Sequence, residues 1–234
     1  MDDQQETNRR PLAVRDISLT RKIAVYLSQK SISPNQISIM SVVFALMGLL
    51  VCAAYALYPN PLLLLLFAIT IQMRLLCNLF DGMVAVEGGK KTPAGELFND
   101  VPDRLADPII ILGAGLLTHS QFGMTLAWIA ALLAVLTAYI RVLGVSMGCP
   151  ADFRGPMAKQ HRMALLTGSS LTLMLLTWSE ILPSLSQYLF DFAMMIMAVG
   201  CVVTCWRRLQ SIFRFKQNLV NEESLGNRKE PKHG

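Results

Sequence analysis

The chain has 234 residues, 53% of them hydrophobic and 16% charged, with a formal net charge of +5. This is too apolar for an ordinary soluble domain, and apolar runs of about 20 residues, the length a helix needs to cross roughly 30 Å of hydrocarbon, recur along it. The positive charge is not laid out as a nucleic-acid surface: all 21 Lys and Arg lie in the N-terminal segment, in alternate connections with their flanking helix ends, or in the tail.

Residues 1–13 are polar and expected to be disordered. Residues 14–33 read as an amphipathic juxtamembrane helix, with Leu19, Ile23, Tyr26 and Leu27 on one face and Arg15, Arg21, Lys22 and Gln29 opposite. Such a helix lies on an anionic membrane surface rather than crossing it; docking on its own protein is the alternative. Pro34 stops it, and Asn35 is a candidate cap for the first span.

Residues 34–216 form one membrane domain. Six spans are expected, at about 37–57, 61–80, 101–118, 124–143, 163–182 and 186–205. The third is the least apolar, because Pro102, Asp103, Arg104, Asp107 and Pro108 interrupt its start. The first, third and fifth connections carry no Lys or Arg, which puts both termini on the cytoplasmic side. Residues 217–234 read as a polar cytoplasmic tail. The expected fold is therefore an all-α, multi-pass integral membrane protein, located in a bacterial inner membrane. No secretory signal is expected, since the first apolar run begins late. Cys52, Cys77, Cys149, Cys201 and Cys205 show no paired spacing and read as packing residues.

The stretch from Asn78 to Asp107 carries the chemistry. Charges at the ends of two consecutive spans are costly unless they pair, bind ions or reach water. At ~1.5 Å per residue, Asp81 and Asp103 both reach the cytoplasmic interface, where lipid headgroups sit. Asn78, Asp81 and Ala85 share one side of the second span, with Arg74 on that side but deeper, where it needs an anionic partner. Asn99, Asp103 and Asp107 recur every four residues on the third span, with Glu96 and Asp100 nearby. Carboxylates clustered without matching cations predict a hard divalent ion (Mg²⁺, Mn²⁺ or Ca²⁺), and no His or Cys set exists for zinc. A nucleotide diphosphate is the usual partner of such an ion. Gly82 would let phosphate or sugar approach the backbone, and Gly88, Gly89, Lys90 and Lys91 add flexibility and positive charge.

The pattern N-x2-D-G-x2-A-V-x8-G-x3-N-x3-D, running through Asn78, Asp81, Gly82, Ala85, Val86, Gly95, Asn99 and Asp103, resembles the signature of the CDP-alcohol phosphotransferases, D-x2-D-G-x2-A-R-x8-G-x3-D-x3-D. The spacing matches at every position, and SPNQIS before the first span looks like that family's entry sequence. The resemblance implies transfer of a phosphatidyl-type group from a CDP-lipid such as CDP-diacylglycerol to an alcohol acceptor, with release of CMP, in phospholipid biosynthesis. It implies Mg²⁺ or Mn²⁺ at two sites held by Asn78, Asp81, Asn99 and Asp103, one of which the departures at Asn78 and Asn99 would weaken unless nearby carboxylates compensate. Asp103 would be the base, while Asn78, Gly82, Ala85 and Gly95 would contact the nucleotide. It further implies a homodimer and a cytoplasmic active site.

Asn78, Val86 and Asn99 depart from the pattern, which has Asp, Arg and Asp there. An Asn amide oxygen still coordinates a hard cation, but each change removes a negative charge. Arg74, Asp100 and Asp107 are supporting candidates, with Glu96, Lys90 and Lys91 as further compensators. Relatives bind the acceptor's polar head near the start of the fifth span, where Lys159 and Arg162 at i, i+3 form a candidate anion clamp, with Arg154 upstream; ordinary flanking charge is the plainer reading. Asn99, Asp100 and Pro102 also read as a helix start, Asp100 and Arg104 as an i, i+4 pair, and His161 as a polar helix-start residue. The alternative function is a catalytically impaired protein of the same fold that binds nucleotide or lipid. A small transporter fits less well, because its ionisable residues would sit near mid-membrane in repeated halves.

Overall fold

The computed structural model describes residues 18–30, 32–87 and 95–227, apart from the side chains at 18, 19, 87, 96, 99 and 222–227. The expectations for residues 1–13, Arg15, the Gly88–Lys91 stretch and residues 228–234 lie outside the described residues. Among those described the chain is all helix: α1 (Ser18–Gln29), α2 (Pro34–Leu57), α3 (Pro61–Glu87), α4 (Gly95–Gly115), α5 (Gly123–Ser146), α6 (Lys159–Ser179), a single turn α7 (Pro183–Ser186) and α8 (Leu189–Asn227).

The helix starts differ from the sequence reading in two places. Ser33, not Asn35, caps α2: its hydroxyl accepts from the Gln36 backbone N–H at 3.2 Å, and the Gln36 side-chain Oε1 accepts from the Ser33 N–H at 2.9 Å. This reciprocal box, with Pro34 in the first turn, satisfies two end groups at once, which Asn35 inside the helix cannot do. α4 begins at Gly95, so Asn99 and Asp100 lie within it and Pro102 and Pro108 are interior. Each proline withholds one ladder hydrogen bond, from the carbonyls of Phe98 and Arg104. At the other end of the chain α8 stays helical to Asn227, past residue 217, where the sequence reading begins the tail.

α2 packs along both α3 and α4, α4 along α5, α5 along α8, and α3 along α6; α6 touches α8 and closes a ring of six helices. α4 also touches α3, α6 and α8, so it meets every other long helix. Small residues permit the close approaches: a Cβ on Gly113 would lie 3.0 Å from the Leu49 Cα, and one on Gly48 would lie 2.9 Å from the Thr70 hydroxyl. Buried Phe67, Ile71, Ile110, Ile111, Leu166 and Met194 fill the middle of the ring.

Among the described residues, four stretches are long and apolar enough to cross a membrane: Pro34–Leu57, Pro61–Val86, Gly123–Ser146 and Pro183–Asn221. α4 and α6 fall short on composition. The reason is positional for α4, whose inward stripe is Asp103 and Asp107 at one end and Ile110, Ile111 and Ala114 beyond. A helix surrounded by other helices meets little lipid and can carry charge that its neighbours neutralise.

α1 docks on α3, where Ala24 packs with Leu79 and Met83. Thr20 is buried beside it, while Ile23 and Tyr26 remain exposed. The expected apolar face is thus split between the protein and the outside. At the opposite end of the bundle, Asp191 of α8 accepts from the backbone N–H groups of His119 (2.8 Å) and Ser120 (3.1 Å) and from the Ser120 hydroxyl (2.5 Å), fixing the α4–α5 turn.

Candidate active site

The site is built where α3, α4 and α6 come together, supported by α2. Asp81 is buried at 3% exposure on α3. Its Oδ2 accepts from the Ser38 hydroxyl of α2 at 2.6 Å, and its Oδ1 from the Gly82 N–H at 2.6 Å. Among the described residues no Lys, Arg or His lies within ion-pair distance of it. Asp103, also buried, stands on α4 close enough for the two carboxylates to feel one another. Asn78, Gly82, Ala85 and Gly95 are half-buried, and Val86 is exposed. The backbone of Asn99 lies one turn before Asp103; its side chain and that of Glu96 lie outside the described residues.

The premise that these carboxylates lack matching cations does not hold. Arg74, fully buried on α3, places Nη2 3.0 Å from Asp103 Oδ1 and 2.5 Å from Asp107 Oδ1. The Asp107 contact is a close ion pair without the alignment of a hydrogen bond, and Arg74 Nε and Nη1 have no hydrogen-bond partner among the described residues. Lys159 Nζ is paired with Asp103 Oδ2. Arg162 Nη2 reaches Asp107 Oδ2 at 2.7 Å, and its Nη1 donates to the Met157 carbonyl at 2.8 Å. The cations come from two turns before Asp81 in α3 and from α6, more than fifty residues along the chain, so no local spacing reveals them. Arg74 does find the anionic partner its depth requires. Asp81 is the exception, a carboxylate held by two hydrogen bonds and, among the described residues, by no direct ion pair.

Lys159 and Arg162 are therefore engaged in the ion-pair network rather than poised as a free clamp. Arg154 is exposed, paired with Asp152 at 3.0 Å and bonded to Ser211 at 3.1 Å. It lies at the wall of a cavity of about 320 Å³ bounded by α5, α8 and the α5–α6 connection, lined also by Arg141, Asp152, Phe153 and Arg208. Arg141 sits over the Phe153 ring and reaches Asp100 at 3.3 Å, which joins the cavity wall to α4. The i, i+4 pair of Asp100 with Arg104 is present too, at 3.3 Å. Burial would push the Asp152 carboxyl up, but hydrogen bonds from the Arg154 side chain and backbone outweigh it and hold it below the usual range.

The α5–α6 connection is pinned to α8. The Met157 N–H donates to the Thr204 hydroxyl at 3.0 Å, and Arg208 Nε to the Arg154 carbonyl at 3.2 Å. Gly155, at φ +133°, makes the turn possible: a Cβ there would lie 2.4 Å from Thr204 Cγ2. His161 is exposed at the start of α6, as a polar helix-start residue would be. Ser38, Arg141 and Arg208 escaped the sequence reading. Only Ser38 had a signal, since it stands in the entry sequence one turn after Pro34.

No family model matches the chain. It is 27% identical over 152 residues, covering 64% of its own length and 72% of the relative's, to the inner membrane protein YnbA of Escherichia coli K12. It is 26% identical over 204 residues, covering 83% of its own length and 80% of the relative's, to the phosphatidylinositol phosphate synthase of Mycobacterium marinum. Among solved structures, the phosphatidylinositol phosphate synthase of Mycobacterium tuberculosis with CDP-DAG bound shares the fold, at a TM-score of 0.64 and 20% identity over 83% of this chain and 94% of that one. The same enzyme with manganese and citrate gives a TM-score of 0.64 at 21% identity, over 83% of this chain and 88% of that one.

Proposed function

We propose that this chain is a CDP-alcohol phosphatidyltransferase. It moves a phosphatidyl-type group from a CDP-lipid to an alcohol acceptor and releases CMP. The observation that carries the proposal is the pairing of buried Asp81 on α3 with buried Asp103 on α4, on a motif of matching spacing, beside a cavity lined by arginines. Similarity to phosphatidylinositol phosphate synthases supports it. All six long helices cross the membrane in this reading, α4 and α6 shielded by the rest, with α1 at the interface and both termini and the site cytoplasmic. A bacterial inner membrane is the location, and a homodimer the assembly.

The residues at Asp81 fit a divalent cation. A buried carboxylate without a counter-charge is costly, and a hard ion suits its oxygens together with the Asn78 amide oxygen on the same helix face. When bound, Mg²⁺ or Mn²⁺ would offset charge on the donor's pyrophosphate and polarise its phosphoryl oxygens. Half-buried Gly82, Ala85 and Gly95 leave the nucleotide room to approach the backbone. An apolar groove of about 270 Å³ between α1, α2 and α3, lined by Leu27, Met40, Leu76 and Phe80, would take an acyl chain. Asp103, paired with Arg74 and Lys159, accepts the acceptor's hydroxyl proton once Lys159 releases its oxygen. The new bond joins acceptor oxygen to the lipid-side phosphorus. The bond between that phosphorus and the bridging oxygen breaks, and its electron pair leaves with CMP.

Arg141, Arg154 and Arg208 make an anionic acceptor the best match for the cavity. An acceptor panel with mass detection of the lipid product tests this: a phosphorylated alcohol should be used, with KM raised by Arg208→Gln. Use of a neutral alcohol alone would refute it.

One observation favours a second reading. The ion pairs on Asp103 and Asp107, together with Asn78, Val86 and Asn99, suit a catalytically impaired protein that still binds nucleotide or lipid. CDP binding without CMP release by the wild type, and release gained in Asn78→Asp/Val86→Arg/Asn99→Asp, would favour it.

A further inference from the structure

We infer that Arg74 does the work of a second cation, so that this chain binds one divalent ion, at Asp81, rather than two. The inference rests on the phosphatidyltransferase reading. Its first support is occupancy of oxygens. Arg74 bridges Asp103 Oδ1 and Asp107 Oδ1 as a metal would, while Lys159 holds the other oxygen of Asp103 and Arg162 that of Asp107. Neither carboxylate keeps an oxygen free of a cation. An ion binding at Asp103 would have to displace a guanidinium that is fully buried and has Asp103 and Asp107 as its anionic partners.

Charge balance points the same way. Asp81, Asp103 and Asp107 are matched by Arg74, Lys159 and Arg162, so the side chains alone sum to zero. A pyrophosphate diester brings two negative charges, and a single divalent ion neutralises them. A second would leave two uncompensated positive charges in a buried site. Replacement of Asp by Asn at 78 and 99 removes two negative charges, the amount one divalent ion would have balanced.

The third support is independent of the carboxylates. Arg74 is buried at 0% exposure, yet among the described residues its Nε and Nη1 have no hydrogen-bond partner. A buried guanidinium with idle donors is satisfied when an acceptor arrives, and a phosphoryl oxygen at this site is one.

The test is a Mn²⁺ titration of the full chain in detergent with CDP present, read by electron paramagnetic resonance. One equivalent per chain is expected for the wild type and for Asn78→Asp/Asn99→Asp, in which Arg74 remains. A second equivalent is expected when Arg74→Gln is added to that pair. Two equivalents in the wild type, or in the double variant, would overturn the inference and leave the functional reading standing. A folded triple variant that still binds one would also overturn it. No binding at all by the wild type would overturn both.

Discussion

Replacing Asp107 by Asn probes the ion network where its energy is largest. The side chain is isosteric, so the change is one of charge, felt by two arginines at 2.5 and 2.7 Å. Removing one partner of a buried pair costs about 3–5 kcal/mol, because the surviving charge is left without compensation. Arg162 is partly protected, since it keeps the Met157 carbonyl at 2.8 Å and the Thr137 hydroxyl at 3.3 Å. Arg74 is not, having only Asp103 left among the described residues. The loss therefore belongs mostly to Arg74. At roughly 2–4 °C per kcal/mol for a chain of this size, the midpoint of thermal unfolding in detergent should fall by about 6–20 °C. Arg162→Gln in the same background should cost less than it does alone, a coupling of at least about 1 kcal/mol. A fall below about 2 °C, or simple additivity of the two changes, would refute a network held together by buried charge.

Ser38→Ala removes the only side-chain hydrogen bond described for Asp81, and Mn²⁺ affinity should drop about 10–100-fold while stability falls by no more than about 1–3 kcal/mol; unchanged affinity would contradict its role in holding that carboxylate. Gly155→Ala should destabilise the α5–α6 connection by about 1–3 kcal/mol, read as faster limited proteolysis near 150–158, because the added Cβ meets Thr204 and the backbone is at φ +133°. The Asp152–Arg154 contact contributes below about 1 kcal/mol, since the Arg154 side chain is 80% exposed. Because the Asp152 carboxyl is held below its ordinary value, that contribution is present above a pH of about 3.9 and lost as the pH falls further, so Asp152→Asn and wild type should converge in acid.

Much of this was legible in the chain. The expected apolar runs fall on the six long helices among the described residues, four of them apolar enough to cross a membrane, since length and composition are local properties. The Asp100–Arg104 pair follows from helical spacing, and the need of Arg74 for an anion follows from its depth. The partners of Asp103 and Asp107 were not legible, because Lys159 and Arg162 reach them only through the packing of α6 against α3 and α4. For the same reason the central position of α4 is hidden: its charges read as a weak span, whereas they face neighbours that neutralise them. The α2 cap was misplaced by one local rule outcompeting another, Ser33 with Gln36 forming a reciprocal box that Asn35 cannot.

CMP release from CDP-diacylglycerol by purified protein, with Mg²⁺ or Mn²⁺ and a phosphorylated alcohol, tests the central claim most directly. Wild type should release CMP only with the metal, and Asp81→Asn and Asp103→Asn should each lower the rate by at least about 100-fold while remaining folded. Metal-independent release, or release unchanged in either variant, would contradict the account.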